Sequence, residues 1–503
     1  MEYIDTLIAI TAITIILYYI IKYLINKFFE FNMVKGFSGP KAFPLIGNIY
    51  LLLGDMEDVT NKMLKLSTKY TSPWRFWIGP KLFILFDDPK CIEIITKRSN
   101  SYEKNLIYEF FKPVLGNGLF TVPASNWEIH RKILSPVFKE KFHSTYIDSI
   151  LKNSNRLVTI LENTNGENVD IMHYIHLCTL DIIYDSFLGR DLDLQNNPEC
   201  KLDEYMSEIM DIGIQRIVKF WLHPNIIFNN SSTGKRLQKL LSHFNKITKE
   251  IMREKKESMQ KDKITPELEV SDERINTSTF LDLLLKSFYE TGVYSEQDIH
   301  DEINTLVFSG SETTTGTLAF LFLMLATFPE VQQRVYEELY QMYGSSDHQN
   351  VPITLQDIKK MKYLERVIKE TLRLFPAGPI IGRVLQKDVK VDENVVIPKD
   401  CDLMLTIFTL HRNDKYWKDP LTFNPDRFLP GNYDPKCFLP FSAGKRDCIG
   451  QTFAMFEMKA IVATILRKFV VQIDNPVIVK DIDLKYSLTL KPAKPILLRF
   501  YKR

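Results

Sequence analysis

The sequence predicts a mainly helical protein with small β-sheets, preceded by a single N-terminal transmembrane helix. Three observations carry this prediction: an uncharged apolar stretch near the N-terminus, long segments of helical periodicity beyond about residue 89, and two short strand pairs. The 503 residues have ordinary globular composition, with 45% apolar and 25% charged residues. A net charge of +2 gives no reason to expect a nucleic-acid partner.

The apolar stretch from Thr6 to Ile21 carries no charge, and apolar residues resume after Lys22. With Lys22 reaching toward the interface, the stretch approaches the roughly 20 residues that cross a bilayer. Acidic residues precede it and lysines follow it, which favours a cytosolic body, whereas a cleaved signal peptide would begin with basic residues. We therefore predict a membrane anchor over residues 1–29.

A segment rich in proline and glycine follows over residues 30–48, where the chain must turn. Farther on, Trp74–Ile78 and Leu82–Phe86 flank a Gly-Pro turn and predict a hairpin. Alternating residues over 485–501 predict a second hairpin. The six cysteines are scattered without a Cys-x-x-Cys pair, which disfavours a disulfide framework or a zinc site.

The most informative residue is Cys448, which lies between Gly444 and Gly450 and two positions after Arg446. Glycines allow the backbone to approach a flat cofactor, and an apolar helix predicted over 451–469 would direct its positive end at the sulfur and favour a thiolate. A cysteine thiolate on haem iron favours O–O cleavage. A buried structural thiol is the alternative for a lone cysteine.

The pattern Phe-x-x-Gly-x-Arg-x-Cys-x-Gly, which begins at Phe441, resembles the haem-binding signature of the cytochrome P450 monooxygenases. The resemblance implies the cytochrome P450 fold for a catalytic domain over 49–503, with residues 30–48 as its hinge to the membrane. It implies haem b as cofactor and Cys448 as its axial thiolate. It assigns further haem contacts to Arg446, Phe441, Gly444, Gly450, Trp127, Arg131 and Arg383.

A second motif lies in a helix predicted over 297–328, about 48 Å long at 1.5 Å per residue. Polar residues at 309–316 interrupt its apolar character, and Glu312 beside Thr313 supplies an acid and a hydroxyl that could relay protons. This resembles the oxygen-activation motif of the same family, which makes Glu312 and Thr313 the predicted catalytic pair. Threonines that hydrogen bond back to helical carbonyls are the alternative.

A charged pair, Glu370 and Arg373, occupies one face of another predicted helix. Such a pair is ordinarily a surface ion pair of little energetic value. The resemblance instead places both in a buried structural network with Arg427, which holds the loop that carries Cys448.

Segments around Trp127, His176 and His411 resemble the family-four branch, which includes fatty-acid omega-hydroxylases. Many members of that branch carry Glu at the position of Ser309, where it can form an ester with haem, so we expect haem that is not covalently attached. Apolar residues in segments that face the haem in the family predict a lipophilic pocket, with core packing as the alternative for each: Phe110, Phe111, Leu115, Phe120, Leu306, Phe308, Ile380, Ile381 and Leu490.

We therefore expect a single-pass protein of the endoplasmic reticulum membrane with a cytosolic catalytic domain. It would insert one atom of dioxygen into a lipophilic substrate (a fatty acid, a related lipid or a xenobiotic). The resemblance implies electrons from NADPH-dependent cytochrome P450 reductase, with cytochrome b5 as a further candidate partner. Two alternatives are a haem-thiolate isomerase or dehydratase, which needs no external electrons, and a non-catalytic haem- or lipid-binding protein.

Overall fold

Helices make up most of the chain in the computed structural model, which describes residues 2–98, 103–197, 199–264, 279–344, 351–393 and 395–503. The helices are α1 Glu2–Met33, α2 Met56–Lys69, α3 Pro89–Glu93, α4 Lys112–Leu115, α5 Ala124–Leu134, α6 His143–Asn163, α7 Ile171–Leu188, α8 Leu202–Val218, α9 Asn225–Asn230, α10 Ser232–Ile264, α11 Phe280–Thr291, α12 Glu296–Thr327, α13 Pro329–Tyr343, α14 Leu355–Lys360, α15 Lys362–Leu374, α16 Ile407–His411 and α17 Gln451–Leu466. The strands are β1 Trp74–Ile78, β2 Lys81–Phe86, β3 Val169–Asp170, β4 Ile381–Val384, β5 Val389–Asp392, β6 Val395–Ile397, β7 Asp402–Leu405, β8 Phe469–Gln472, β9 Leu484–Tyr486, β10 Leu490–Pro492 and β11 Leu497–Lys502. The predicted class, mainly helical with small sheets, is confirmed.

The strands form small sheets at the edges of the helical body, with orders β1-β2-β7-β4, β3-β11-β8, β9-β10 and β5-β6. The hairpin predicted from the Gly-Pro turn is β1–β2, in antiparallel register. The second predicted hairpin is only partly correct, because β9 pairs with β10 while β11 pairs with β8 and β3. Alternation of apolar and polar residues indicates which face of a strand is buried. It does not indicate the partner strand, which depends on the tertiary fold.

The longest buried element is α12, which runs through the helical core without a break. It begins in a capping box, in which the Ser295 hydroxyl accepts from the Asp298 amide and the Asp298 carboxylate accepts from the Ser295 amide. Nearly all of its later side chains are buried, and Pro329 opens α13 immediately after it. The polar segment at 309–316 therefore lies in the interior.

The predicted anchor falls in α1, and several of its side chains lie outside the described set. Among the residues searched, which are only the described ones, no single helix has the length and apolar character of a membrane span. The bent pair α12–α13, with 106° at its break, has them jointly. The predicted hinge is fastened to β1, where the Asn48 amide donates to the Trp77 carbonyl at 2.7 Å and the Arg75 amide donates to the Ser38 carbonyl at 2.9 Å.

Candidate active site

The loop that carries Cys448 is folded tightly by its own backbone. The Cys448 amide donates to the Phe441 carbonyl at 3.0 Å, which closes the turn. Gly444 has a φ of +82°, and a Cβ there would lie 2.1 Å from the carbonyl oxygen of Thr96. Both features exclude a side chain. Gly450 is the N-cap of α17, which begins at Gln451 as the sequence predicts but ends at Leu466 rather than at 469.

The Cys448 side chain is accessible at its surface although protein atoms surround it closely. Burial is the largest influence on the thiol and raises its pKa. The amides of Gly450 and Gln451, which donate to the sulfur, lower the pKa by less. The amides at the start of the helix thus favour the thiolate, as the sequence predicts, although desolvation outweighs them in the protein alone. A thiolate at this position needs a bound metal, which deprotonates its thiol ligand.

Three cationic side chains converge near this cysteine: Arg446, Arg383 and Lys104. Both arginines are buried, and burial followed by the charge of Arg383 lowers the pKa of Arg446 to about 10. Burial and the two arginines hold the pKa of Lys104 well below its usual value, while the Cys448 sulfur raises it. Mutual repulsion of this kind is relieved by a nearby anion. The cluster fits haem b, which carries two carboxylates, and sequence reasoning missed Lys104.

The predicted haem contacts on α5 lie beside the cysteine loop. Arg131 donates to the backbone carbonyl of Asp447 at 2.8 Å and to its carboxylate at 2.8 Å. The guanidinium groups of Arg446 and Arg131 lie 5.2 and 5.9 Å from the Trp127 ring. The structure thus brings Trp127, Arg131 and Arg446 together, with Arg131 bound to the loop. Their contact with a haem carboxylate stays a prediction.

On α12, Ser309 and Thr313 lie one turn apart and are accessible within the largely buried middle of the helix. The Thr313 hydroxyl donates to the Ser309 carbonyl at 2.7 Å, and the Ser309 hydroxyl donates to the Thr305 carbonyl at 2.5 Å. Back-bonding to helical carbonyls, the alternative reading, is therefore present. It leaves the Thr313 oxygen free to accept a hydrogen bond from a group on this face.

Glu312 points in a different direction and is buried in an ion pair. Its Oε2 lies 2.7 Å from Lys491 Nζ, and its Oε1 lies 3.7 Å from His176 Nε2. Burial alone would raise the pKa of Glu312, but Lys491 and His176 together hold it below its usual value. Lys491 and His176 thus keep Glu312 in its carboxylate form. Sequence reasoning missed Lys491 and His176 because neither lies near Glu312 in the chain.

The charged network predicted around Glu370 is present and buried. Arg373 donates to both carboxylate oxygens of Glu370 at 2.8 Å, and Arg427 Nε lies 3.3 Å from Oε1. Arg373 also donates to the carbonyls of His411 and Pro420, each at 2.8 Å. This geometry favours the buried network over a surface ion pair.

The predicted pocket residues differ in accessibility. Phe120, Ile380 and Ile381 are partly accessible, and Lys104 Nζ lies 3.3 Å from the centroid of the Phe120 ring. The remaining residues are buried among apolar neighbours: Phe110, Phe111, Leu115, Leu306, Phe308 and Leu490. In this structure these six residues are therefore part of the hydrophobic core.

Residues 37–500 match the family model described as Cytochrome P450. The chain is 33% identical over 481 residues to "Cytochrome P450 4V2" of Mus musculus, which covers 93% of this chain and 89% of that protein. It is 32% identical over 478 residues to "Cytochrome P450 4c3" of Drosophila melanogaster, covering 91% and 88%. It is 33% identical over 442 residues to "Cytochrome P450 4d2" of the same fly, covering 86% and 87%.

Proposed function

The chain belongs to the cytochrome P450 family, as a family-four-like haem-thiolate monooxygenase, and from this premise we propose that it is membrane anchored and oxidises a lipophilic substrate. Haem b is bound without covalent attachment and takes a cysteine thiolate as ligand. The observation that carries the proposal is the exposed thiol of Cys448 beside two buried arginines, Arg383 and Arg446, and the partly buried Lys104. Bound haem supplies the activation of dioxygen.

Several residues of the chain would then hold the cofactor. Cys448 would supply the thiolate ligand, and the amides of Gly450 and Gln451 would stabilise negative charge on its sulfur. Arg383, Arg446 and Lys104 would neutralise the haem carboxylates. The remaining predicted contacts shape the loop (Phe441, Gly444) or support it from α5 (Trp127, Arg131).

We assign proton transfer to Glu312 and Thr313 on α12. Thr313 offers a hydroxyl on the accessible face, where it can orient a proton donor toward the reacting centre. Glu312 is ionised and accepts protons from the interior side of the helix. The network of Glu370, Arg373 and Arg427 plays a structural part, since it fixes the backbone that leads to the cysteine loop.

We propose that residues 1–29 anchor the protein in the endoplasmic reticulum membrane, that residues 30–48 form the hinge, and that residues 49–503 form the cytosolic catalytic domain. Apolar side chains exposed beyond α1 support this arrangement, among them Leu45 (75% exposed) and Ile226 (76% exposed). Cytosolic orientation would give NADPH-dependent cytochrome P450 reductase, and cytochrome b5, access to the catalytic domain.

The first test is the carbon monoxide difference spectrum of reduced membranes that contain the protein. We expect the red-shifted Soret band of thiolate ligation, and its loss in Cys448→Ser with the folded protein retained. A wild-type band of the histidine-like type would refute the axial role of Cys448.

Turnover with purified reductase then tests the substrate class. Fatty acids of increasing length and a panel of xenobiotics are offered with NADPH, and we expect an oxygenated product that depends on reductase. Product from a lipid hydroperoxide without reductase would favour the isomerase alternative. Spectral shifts on ligand addition without any product would favour a binding protein.

A further inference from the structure

Ionisable side chains lie between α12 and the surface on the side of Glu312. His176 lies on α7 and is 4% exposed, and its Nε2 approaches Glu312 Oε1 at 3.7 Å. Burial keeps the pKa of His176 below its usual value, so its imidazole is neutral at rest. A neutral imidazole beside a carboxylate can take up a proton and pass it to that carboxylate.

Three buried atoms in this region lack a hydrogen-bond partner within the described part of the chain: Glu312 Oε1, His176 Nε2 and Asp203 Oδ1. Buried polar atoms are almost always hydrogen bonded, so a cluster of three indicates bridging water or an exchanging proton. Asp203 acts electrostatically on both Glu312 and His176, which places all three in one interior region.

The path reaches solvent through His173. Its Nδ1 lies 2.6 Å from Asp203 Oδ2, and its side chain is 45% exposed. His173 also lines a surface cavity of about 220 Å³. The hydrogen bond to Asp203 raises the pKa of His173. His173 and His176 lie three positions apart on α7 and therefore share one face of that helix.

We propose that His176 carries protons from the solvent-accessible His173–Asp203 pair to Glu312, which rests on the monooxygenase function proposed above. A proton leaves the His173–Asp203 pair, which is replenished from solvent, and binds Nε2 of neutral His176. The Nε2–H bond then breaks as a bond forms to Glu312 Oε1, and His176 returns to the neutral form. Water bridges Asp203 Oδ1 and His176 Nε2, which both lack a partner among the described residues, and a second water or a small rotation closes the 3.7 Å separation from Glu312.

Lys491 determines which oxygen of the Glu312 carboxylate takes part in the proton transfer. Its ammonium group holds Glu312 Oε2 at 2.7 Å and also lies 3.4 Å from the Ser207 hydroxyl of α8. Lys491 therefore neutralises and positions Glu312 while Oε1 stays open toward His176. A purely structural role for Glu312 would need only its ion pair with Lys491. It would give no reason for His176 Nε2 to face Glu312 Oε1.

The test compares His176→Phe with His143→Phe in haem-loaded protein. His143 is the matched control, because it is also a buried histidine (5% exposed) and stacks on Phe456 at a ring distance of 4.4 Å. Phenylalanine preserves the approximate volume at both positions. Each variant is assayed with dodecanoate and with 7-ethoxycoumarin, first with NADPH and reductase, then with cumene hydroperoxide, which replaces dioxygen, electrons and the protons.

For His176→Phe we expect normal haem content, hydroperoxide-supported product within twofold of wild type, and NADPH-supported product reduced at least tenfold with more hydrogen peroxide released. His143→Phe should match wild type in the ratio of the two routes. A His176→Phe variant with an unchanged NADPH rate would overturn the relay. Parallel loss by both routes would also overturn it, since that pattern belongs to a structural role.

Infrared titration of the haem-loaded protein gives a readout that does not depend on turnover. The band of the Glu312 carboxyl is identified by its loss in Glu312→Gln. We expect Glu312 to take up its proton at higher pH in His176→Phe than in wild type, and an unchanged titration would refute the contact. If wild type converts neither probe by either route, the proposed monooxygenase function fails, and the titration still decides the contact.

Discussion

Replacement of Arg373 by alanine tests how the cysteine loop is held. The Arg373 side chain is fully buried and donates four hydrogen bonds at 2.8 Å, two to the Glu370 carboxylate and two to backbone carbonyls. In Arg373→Ala the Glu370 carboxylate keeps, among the described residues, only Arg427 at 3.3 Å and the Asn424 amide at 2.9 Å. The variant therefore leaves a buried charge partly compensated.

The cost can be estimated from these contacts. Breaking a buried ion pair costs about 3–5 kcal/mol, and the two remaining partners of Glu370 favour the lower value. Each carbonyl that loses its donor adds about 1 kcal/mol or more. The total of about 5 kcal/mol equals the whole free energy of unfolding of a marginally stable protein. We therefore expect Arg373→Ala to accumulate without haem.

The assay measures haem content from the carbon monoxide difference spectrum and stability from urea unfolding. Arg334→Ala is the matched control, since Arg334 pairs with Asp426 through two hydrogen bonds but both side chains are exposed. An exposed pair contributes about 0–1 kcal/mol, so this control should retain haem. Normal haem content and an unchanged urea midpoint in Arg373→Ala would refute the reasoning.

Two further predictions concern the same region. Gly444→Ala should abolish haem loading, because the new Cβ would lie 2.1 Å from the Thr96 carbonyl oxygen at a φ of +82°, and a thiolate-type spectrum in this variant would contradict the assignment. Burial raises the pKa of Glu457 from its usual 4.5 to about 8. Between these two pH values the folded state therefore keeps a proton that the unfolded state has already released. Stability should fall as pH rises through that window, by up to about 1.4 kcal/mol per pH unit, and urea midpoints of Glu457→Gln should lack this fall.

Much of the fold was predictable because it depends on local pattern. The Gly-Pro turn between two β-rich runs predicts β1 and β2, and a continuous helical pattern predicts α12 within one residue of its observed ends. The partners of β11 were not predictable, since β3 comes from a distant part of the chain and β8 is separated from β11 by the β9–β10 pair. Local sequence specifies an element, while its neighbours depend on how the whole core packs.

The same division applies to the site. Cys448, Gly444 and Gly450 occur in one short motif, which is why the sequence singles them out, and at Gly444 the φ of +82° requires glycine. Lys104 carried no such signal, because a single lysine is ordinarily solvated. Its role depends on burial beside Arg383 and Arg446, and only the folded chain brings these three together.

These cations link cofactor binding to folding. Arg383 and Arg446 each lower the pKa of Lys104, so the folded chain bears a repulsion that the unfolded chain lacks. A dianionic group that binds only the folded state removes this repulsion and adds its own binding free energy to stability. Arg373 donates to the His411 carbonyl, and the Leu439 amide, which precedes the cysteine loop, donates to His411 Nε2. We therefore expect loss of either the anion or the Glu370–Arg373 pair to destabilise the same loop, so haem content should report on a side chain that need not touch the cofactor.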